Sequence, residues 1–199
     1  MTILTTNTWR LEHDVGNILV SCRANKNITS DIAHGVQTTL EQAEMLKCQY
    51  GMAKEALASP DEKITVQGLN GEESRTITQK ELASIIEPRM EEILMLAKSE
   101  IRKSDHPGVF TFGIKLTGGG SLLNNVVDIA NDIFHQPVKI GSPHLTGGIS
   151  ENLNKPEYSS AVGLINFAVK HRNDYQDQSD GFGFDKLFTS IKNFFKELY

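Results

Sequence analysis

The chain has 199 residues and a formal net charge of −5, and its hydrophobic fraction of 39% is typical of a globular protein with a buried core. The deficit of cations argues against nucleic acid as a partner, because neutralising phosphates requires a basic surface. Two cysteines and six scattered histidines predict neither a disulfide framework nor a zinc site and fit a reducing cytoplasm, and no apolar run is long enough to span a membrane.

The first part of the chain predicts a weak strand pattern and then a helix. Residues 17–20 have the composition of a strand, and the turn residues at 14–16 are compatible with a hairpin. Asn27 is expected to cap a short helix through Ile32, and Gly35 to end it.

A second helix is predicted up to Tyr50, because Thr38 and Glu41 have the spacing of a capping box. Gly51 follows as its stop signal. The 3.6-residue period places one apolar set inward, namely Leu40, Ala43 and Leu46. Glu44 and Lys47 fall on or beside the opposite face.

A hairpin and a long helix are predicted next. Residues 63–67 and 75–78 alternate with period two around a turn rich in glycine and asparagine. Thr78 and Glu81 form another capping box, which opens a helix towards Lys103. Pro88 lies inside that helix and predicts a kink or a fresh start.

The later part of the chain alternates between strands and helices. A strand over 110–116 is followed by a helix from Ser121 to about Phe134, a strand over 138–140 and a helix that opens at Pro156. This alternation predicts an α/β sheet for residues 109–170.

The end of the chain carries its clearest periodic pattern. Residues 171–183 are polar and turn-rich, which predicts a flexible linker. Over 184–199, large apolar residues recur at the spacing of one helix face. They are Phe184, Leu187, Phe188, Ile191, Phe194, Phe195 and Leu198. Such a helix behind a polar linker is predicted to bind a membrane surface, with a protein groove and docking on its own domain as the alternatives.

Three consecutive glycines stand between a predicted strand and a predicted helix. Gly118, Gly119 and Gly120 let a ligand approach the backbone, and the N–H groups near Ser121 face the same place. These residues by themselves predict either a ligand loop or an ordinary strand-to-helix turn. The loop is not a Walker loop, since no Gly-Lys-Ser/Thr follows.

Several segments together carry a family resemblance. They are LTGGGSLLNN and the rest of 116–169, the PEYSSAVG run at 156–163, ANKNITSDIA at 24–33 and AEMLKCQYG at 43–51. With the linker and the amphipathic end, they resemble the bacterial FtsA cell-division family of actin-like ATP-binding proteins over about residues 17–199. The resemblance implies an α/β fold, the actin-like (ribonuclease H-like) second lobe, with a smaller α+β subdomain inserted and a C-terminal amphipathic helix.

The resemblance also implies a division of the chain into five parts. The first part is a poorly matching start at 1–23, which is compatible with a β-hairpin of the large subdomain. A small nucleotide-edge subdomain at 24–108 and a large α/β subdomain at 109–170 follow. The last two parts are the linker at 171–183 and the membrane-targeting helix at 184–199.

An ATP site is implied in the same way. In this family the glycine loop lies beside the adenosine, and a Glu-x-x-Lys pair contacts ribose and base. The implied ATP-binding residues are Glu44, Lys47, Gly118, Gly119, Gly120 and Ser121. A carboxylate can accept the ribose hydroxyls, and an ammonium can donate to the base. Without the resemblance, Glu44 and Lys47 would be interpreted as a solvated charge pair.

The sequence departs from the family at the phosphates. Family members have two aspartate-containing, glycine-rich phosphate loops, and neither is found here, since Asp14-Val15-Gly16 lacks the glycine run. We therefore expect weak or absent ATP binding, Mg²⁺ only with the complete site, no catalytic residue, and no ATPase activity of the chain alone. The large sheet is expected to lack its first strand, which would expose an edge and favour self-association.

The function that the resemblance implies is a link between the FtsZ ring and the inner face of the cytoplasmic membrane at the division septum. The C-terminal tail of FtsZ would dock on residues 24–108, and residues 184–199 would bind the membrane. The alternatives left open are a nonfunctional fragment of a disrupted gene and one half of a split actin-like ATPase.

Overall fold

The computed structural model describes residues 2–5, 12–14, 17–21, 24–68, 73–103, 113–143 and 153–170. The chain divides into two compact units, Met1–Val162 and Gly163–Tyr199, and each is described by itself. The predicted linker at 171–183 and the predicted amphipathic helix at 184–199 lie outside the described residues.

The elements follow one another as strands and helices of short to moderate length. The strands are β1 (Thr2–Thr5), β2 (Glu12–Asp14), β3 (Asn17–Ser21), β4 (Lys63–Val66), β5 (Arg75–Thr78), β6 (Ile114–Leu116) and β7 (Val138–Ile140). The α-helices are α1 (Ala24–Gly35), α2 (Leu40–Tyr50), α3 (Gln79–Lys103), α4 (Val126–Phe134) and α5 (Ser159–Lys170). Short 3₁₀ helices cover Glu55–Leu57, Gly119–Leu122 and Pro156–Tyr158.

A five-stranded sheet in the order β2-β3-β1-β6-β7 forms the larger layer. Strand β1 pairs in parallel with β3 and β6, and β6 pairs in parallel with β7, whereas β2 and β3 form an antiparallel pair. Ile3 lies opposite Leu19 on one side and Lys115 on the other. The expectation that this sheet lacks its first strand is wrong for the described structure. Strand pairing uses backbone groups, so residues outside any family motif can fill the central position.

The helices α1, α2 and α3 and the hairpin β4–β5 share one apolar core. In the hairpin, Ile64 lies opposite Ile77. Helix α3 contacts α1 and β5 as well as α4 and β3, so it connects the small helical part to the sheet. The largest fully buried side chains of this core are Ile28, Ile32, Ile64, Leu82, Ile86 and Val66. Their burial excludes water from the space between α1, α3 and the hairpin.

The capping box predicted before α3 is confirmed. The Glu81 carboxylate accepts from the Thr78 backbone N–H at 2.6 Å, and Thr78 Oγ1 accepts from the Glu81 N–H at 3.1 Å. The fresh start predicted at Pro88 is wrong, since α3 is one continuous helix. Buried residues on both sides, such as Ile86 and Met90, belong to the same core, and their packing offsets the hydrogen bond that proline removes.

The N-cap of α2 lies one residue after the predicted one. Thr39 is the N-cap, and its side chain accepts from the Gln42 N–H at 3.2 Å. Thr38 Oγ1 instead donates to the Gln67 carbonyl at 2.8 Å, which ties the start of α2 to the hairpin. Leu40, predicted to face inward, is exposed because α2 begins at that residue and its first turn lies at the edge of the core.

Three predicted helix starts also differ from the structure. Helix α1 begins at Ala24, so Asn27 lies inside it. The helix predicted from Ser121 begins only at Val126, because Asn125 is in the left-handed conformation with φ of 60° and interrupts the turn that precedes it. The helix predicted to open at Pro156 starts as a 3₁₀ turn and becomes α-helical at Ser159.

Candidate functional site

Glu44 and Lys47 of α2 meet a third polar side chain, Thr29 of α1. Lys47 Nζ donates to Glu44 Oε2 at 2.6 Å and to Thr29 Oγ1 at 2.9 Å. Thr29 Oγ1 in turn donates to the same Glu44 oxygen at 2.5 Å. The three groups form a closed hydrogen-bonded triangle that joins α1 to α2.

Burial divides this triangle unequally. The Lys47 side chain is only 7% exposed, whereas that of Glu44 is 50% exposed. The interpretation of the two residues as a solvated pair is therefore wrong for Lys47, which α1 covers. A buried ammonium needs polar partners, and Thr29 and Glu44 supply them.

The protonation of Glu44 follows from the same contacts. Partial burial by itself raises the pKa of the carboxyl group, but the hydrogen bonds from Lys47 and Thr29 and the Lys47 charge outweigh it and lower the pKa below its ordinary value of 4.5. Glu44 is therefore ionised at neutral pH and acts as a hydrogen-bond acceptor.

The second oxygen of Glu44 has a weaker partner. Cys48 Sγ lies 3.6 Å from Glu44 Oε1 and donates to it. Burial, followed by the negative charge of Glu44, raises the pKa of the Cys48 thiol. Because a thiol is a poor donor, Oε1 keeps acceptor capacity for a ligand hydroxyl.

The glycine loop is built around the Gly118 backbone. Gly118 has φ of 90° and ψ of 167°, a conformation that glycine adopts without strain and other residues do not. Its N–H donates to the Pro156 carbonyl at 2.9 Å. Its own carbonyl accepts from the Ser121 N–H at 3.0 Å and from Ser121 Oγ at 2.8 Å. Ser121, named as an ATP-binding residue, is buried and its hydroxyl is used within the loop, whereas Gly119 is exposed and Gly120 is half-buried.

The segments that follow these two parts of the site lie side by side. Met52, just after α2, forms a parallel bridge with Asn124, and the Ala53 N–H donates to the Asn124 carbonyl at 2.8 Å. A Cβ on Gly51 would lie 2.3 Å from the Lys47 carbonyl oxygen and 2.8 Å from Leu123 Cδ1, so a glycine is needed at this approach. Helix α1 also contacts the 3₁₀ helix Gly119–Leu122. The structure therefore brings the two implied halves of the ATP site onto adjoining elements.

The roles of two residues that stabilise the site, Thr29 and Thr117, were not predicted from the sequence. Thr29 was part of the ANKNITSDIA segment, but its side-chain partners depend on how α1 packs on α2. Thr117 Oγ1 bonds to the Gly141 carbonyl at 2.7 Å and to Ser159 Oγ at 2.5 Å, which anchors the strand end before the glycine loop. A hydroxyl directly before a glycine run is the signal that could have indicated it.

The remaining predicted site residues lie outside the described residues. These are Phe184, Leu187, Phe188, Ile191, Phe194, Phe195 and Leu198. Within the described part of the chain, no helix is long and apolar enough to cross a membrane. The same described ranges contain no group of three or more His, Cys, Asp or Glu side chains that could hold a metal ion.

Sequence comparisons identify a family profile and several proteins that are similar to this chain. A family profile described as cell division protein FtsA matches residues 10–163, which is more than half of the chain and begins inside the segment expected to match poorly. Cell division protein FtsA of Pseudomonas aeruginosa is 35% identical over 158 residues, which cover 79% of this chain and 36% of the relative. Cell division protein FtsA of Bacillus subtilis is 40% identical over 151 residues, which cover 73% of this chain and 32% of the relative. The chain thus spans about a third of the length of these curated relatives.

Solved structures show the same fold at low identity. MreB5 of Spiroplasma citri bound to ADP superposes with a TM-score of 0.55 at 18% identity and covers 76% of this chain and 46% of that chain. The AMPPNP-bound form has a TM-score of 0.51 at 17% identity, with 75% and 46% covered. The predicted actin-like fold is confirmed by these similarities.

Proposed function

This chain belongs to the FtsA family of cell division proteins, and on that basis we propose that it links FtsZ polymers to the inner face of the cytoplasmic membrane at the division septum. The single observation that carries this role is the family match over residues 10–163. The amphipathic pattern at 184–199 supports the membrane side of the link.

The partner side of the link is proposed for residues 24–108. Here α1, α2, α3 and the hairpin β4–β5 pack on one core, so they can present a preformed surface to a peptide. The proposed ligand is the C-terminal tail of FtsZ. Copies of this chain could associate with one another through surfaces outside residues 24–108 while the FtsZ tail is bound there.

The membrane side is proposed for residues 184–199. The apolar positions of this segment form one helical stripe, and four of its seven members are Phe. The charged residues beside the stripe are Asp185, Lys186, Lys192, Lys196 and Glu197, a net charge of 3 − 2 = +1. Attraction to anionic lipid is therefore weak, and burial of the apolar stripe supplies most of the binding free energy.

A nucleotide role is proposed for the site at Glu44 and the glycine loop. Glu44 Oε1 keeps acceptor capacity for ribose hydroxyls, and Gly119 exposes backbone beside the buried Gly118. The MreB5 structures of the same fold hold ADP and AMPPNP. ATP binding by this chain is proposed to be weak, because its sequence contains no phosphate loop, and Mg²⁺ and hydrolysis would require the complete site.

Vesicle flotation with FtsZ tests the proposed link. The full chain is mixed with GTP-polymerised FtsZ and with vesicles that contain anionic phospholipid. We expect FtsZ to float only when the chain is present. FtsZ that lacks its own C-terminal tail should stay at the bottom of the gradient. The chain carrying Phe195→Glu serves as the matched control that loses the membrane side.

Each part of the link can fail separately. If the chain floats but leaves FtsZ behind, the partner role is wrong. If the chain pulls down FtsZ but does not float, the membrane role of residues 184–199 is wrong.

A further inference from the structure

The two oxygens of Glu44 have different roles in the structure. Oε2 accepts from both Thr29 Oγ1 and Lys47 Nζ, at 2.5 and 2.6 Å. Oε1 accepts from the Cys48 thiol at 3.6 Å. Oε2 thus has two close donors and Oε1 one distant, weak donor, in a side chain that is 50% exposed as a whole.

Thr29 holds Oε2 through a directional chain. Lys47 Nζ donates to Thr29 Oγ1, and the single hydroxyl proton of Thr29 is then donated to Glu44. Only a side chain that both accepts and donates at one atom can connect Lys47 to Glu44 in this way. Thr29 is 7% exposed, so water does not readily replace it.

We infer that Thr29 is a positioning residue of the nucleoside site, which fixes Glu44 through Oε2 so that Oε1 is the acceptor for the ribose diol. This role rests on the nucleotide site proposed above. Lys47 acts on the same oxygen and through the same hydroxyl. The triangle therefore orders the carboxylate before a ligand arrives, which lowers the entropy lost on binding.

The consequence is a specific loss when the hydroxyl is removed. Valine has nearly the shape of threonine but neither donates nor accepts, so Thr29→Val leaves Glu44 Oε2 bonded to Lys47 alone. The carboxylate can then rotate, and its preference for a ligand that carries the diol falls. A role of Thr29 only in packing α1 on α2 would change stability without changing that preference.

Nucleotide titrations of the full chain measure this preference. ADP and 2′,3′-dideoxy-ADP are titrated separately, and binding is followed by ligand-observed NMR because the affinities are weak. Since hydrogen bonds to a charged group are among the stronger ones, we expect the parent chain to prefer ADP by about tenfold. With Thr29→Val the preference falls to within about twofold, whereas Thr29→Ser, which keeps the hydroxyl, retains most of it.

Matched variants separate this role from general effects. Thr76→Val removes an exposed threonine hydroxyl on β5 and is expected to leave the preference unchanged. Circular dichroism shows whether each variant is folded. If Thr29→Val does not fold, Thr29→Cys takes its place, because a thiol of similar size is a poor hydrogen-bonding group and should also reduce the preference.

The outcomes distinguish the inference from the proposed function. If the parent chain binds neither nucleotide, the proposed nucleotide site is wrong. A parent chain that binds both equally shows that Glu44 does not hold the diol, which overturns the inference but not nucleotide binding. If the parent prefers ADP and a folded Thr29→Val or Thr29→Cys keeps that preference, Thr29 has no positioning role while the site stands.

Discussion

Arg89 of α3 binds the carboxylate of Asp31 of α1 through two nitrogens. Nε lies 2.5 Å from Oδ2, and Nη2 lies 3.1 Å from Oδ1. The two side chains are 32% and 31% exposed, so this bidentate pair lies at the margin of the core that α1 and α3 share. A planar guanidinium matches a carboxylate in this geometry, which lysine cannot reproduce.

This pair is predicted to contribute measurably to folding stability. A double-mutant cycle with Arg89→Met and Asp31→Asn is expected to give a coupling free energy of about 1 kcal/mol from urea unfolding. The cycle is needed because Arg89 also contacts Glu92. The control is the i,i+3 pair of Lys103 and Glu100 on the same helix, in which Lys103 is 65% exposed and a lysine replaces the planar guanidinium, with an expected coupling below about 0.5 kcal/mol. Equal couplings for the two pairs would contradict the prediction.

Local signals predicted the parts of the fold that depend on neighbouring residues. The capping box of Thr78 and Glu81 and the hairpin formed by residues 63–67 and 75–78 are found as expected, with strands over Lys63–Val66 and Arg75–Thr78. In these cases the partners are close in the sequence, so the pattern of residue types nearly determines the contact. The family resemblance then supplied the actin-like arrangement that local patterns could not.

Features that depend on packing between distant segments were missed. The burial of Lys47 results from α1 covering α2, and no period within α2 indicates it. Thr29 is fifteen residues from Glu44, so their hydrogen bond is a tertiary contact. The central strand β1 pairs with Ile114–Leu116, far along the chain, through backbone groups that leave no mark in the sequence.

The stability contribution of Glu44 is predicted to depend on pH. Its pKa is lowered from 4.5 in the folded protein, so its stabilising effect is present above pH 4.5 and is lost as the pH falls through the lower folded value. Glu44→Gln should therefore reduce the free energy of unfolding at pH 7, and the difference from the parent should shrink below about pH 4. Urea unfolding at several pH values measures this. A difference that grows on acidification would contradict the sign of the shift.

The thiol of Cys48 is predicted to react slowly until Glu44 is neutralised. Burial and the Glu44 charge raise its pKa, and the thiolate is the reactive form. In a Cys22→Ser background, Glu44→Gln should speed alkylation by iodoacetamide at about pH 8 by roughly two- to fivefold. Glu41→Gln removes the same charge one turn earlier and is the matched control. Equal rates for both variants would show that the Glu44 charge does not act on the thiol.

Gly118 is predicted to tolerate no side chain. At φ of 90° and ψ of 167°, Gly118→Ala should lower the free energy of unfolding by about 1–3 kcal/mol. Gly163→Ala is the opposite control, because a Cβ there meets no atom within 4 Å and the residue lies inside α5. Alanine at that helical position should stabilise by about 0.5–1 kcal/mol. Chemical unfolding of both variants gives the comparison, and a neutral Gly118→Ala would contradict the strained backbone.

Membrane binding by residues 184–199 is predicted to depend on the apolar stripe more than on charge. A buried Phe contributes roughly 1.5–3 kcal/mol, whereas a Lys near an anionic surface contributes about 1 kcal/mol. Phe188→Glu should therefore abolish co-sedimentation of the full chain with anionic vesicles. Lys192→Gln should only weaken it and make it less sensitive to salt, since one screened attraction is removed.

The salt dependence separates the two kinds of contribution. If apolar burial dominates, raising the ionic strength should leave most of the parent chain on the vesicles, because screening acts on the lysines and not on the Phe side chains. A Phe188→Glu chain that sediments as well as the parent would mean that the stripe does not enter the lipid. Docking of 184–199 on its own domain, or in a protein groove, would then account for the spacing of its apolar residues.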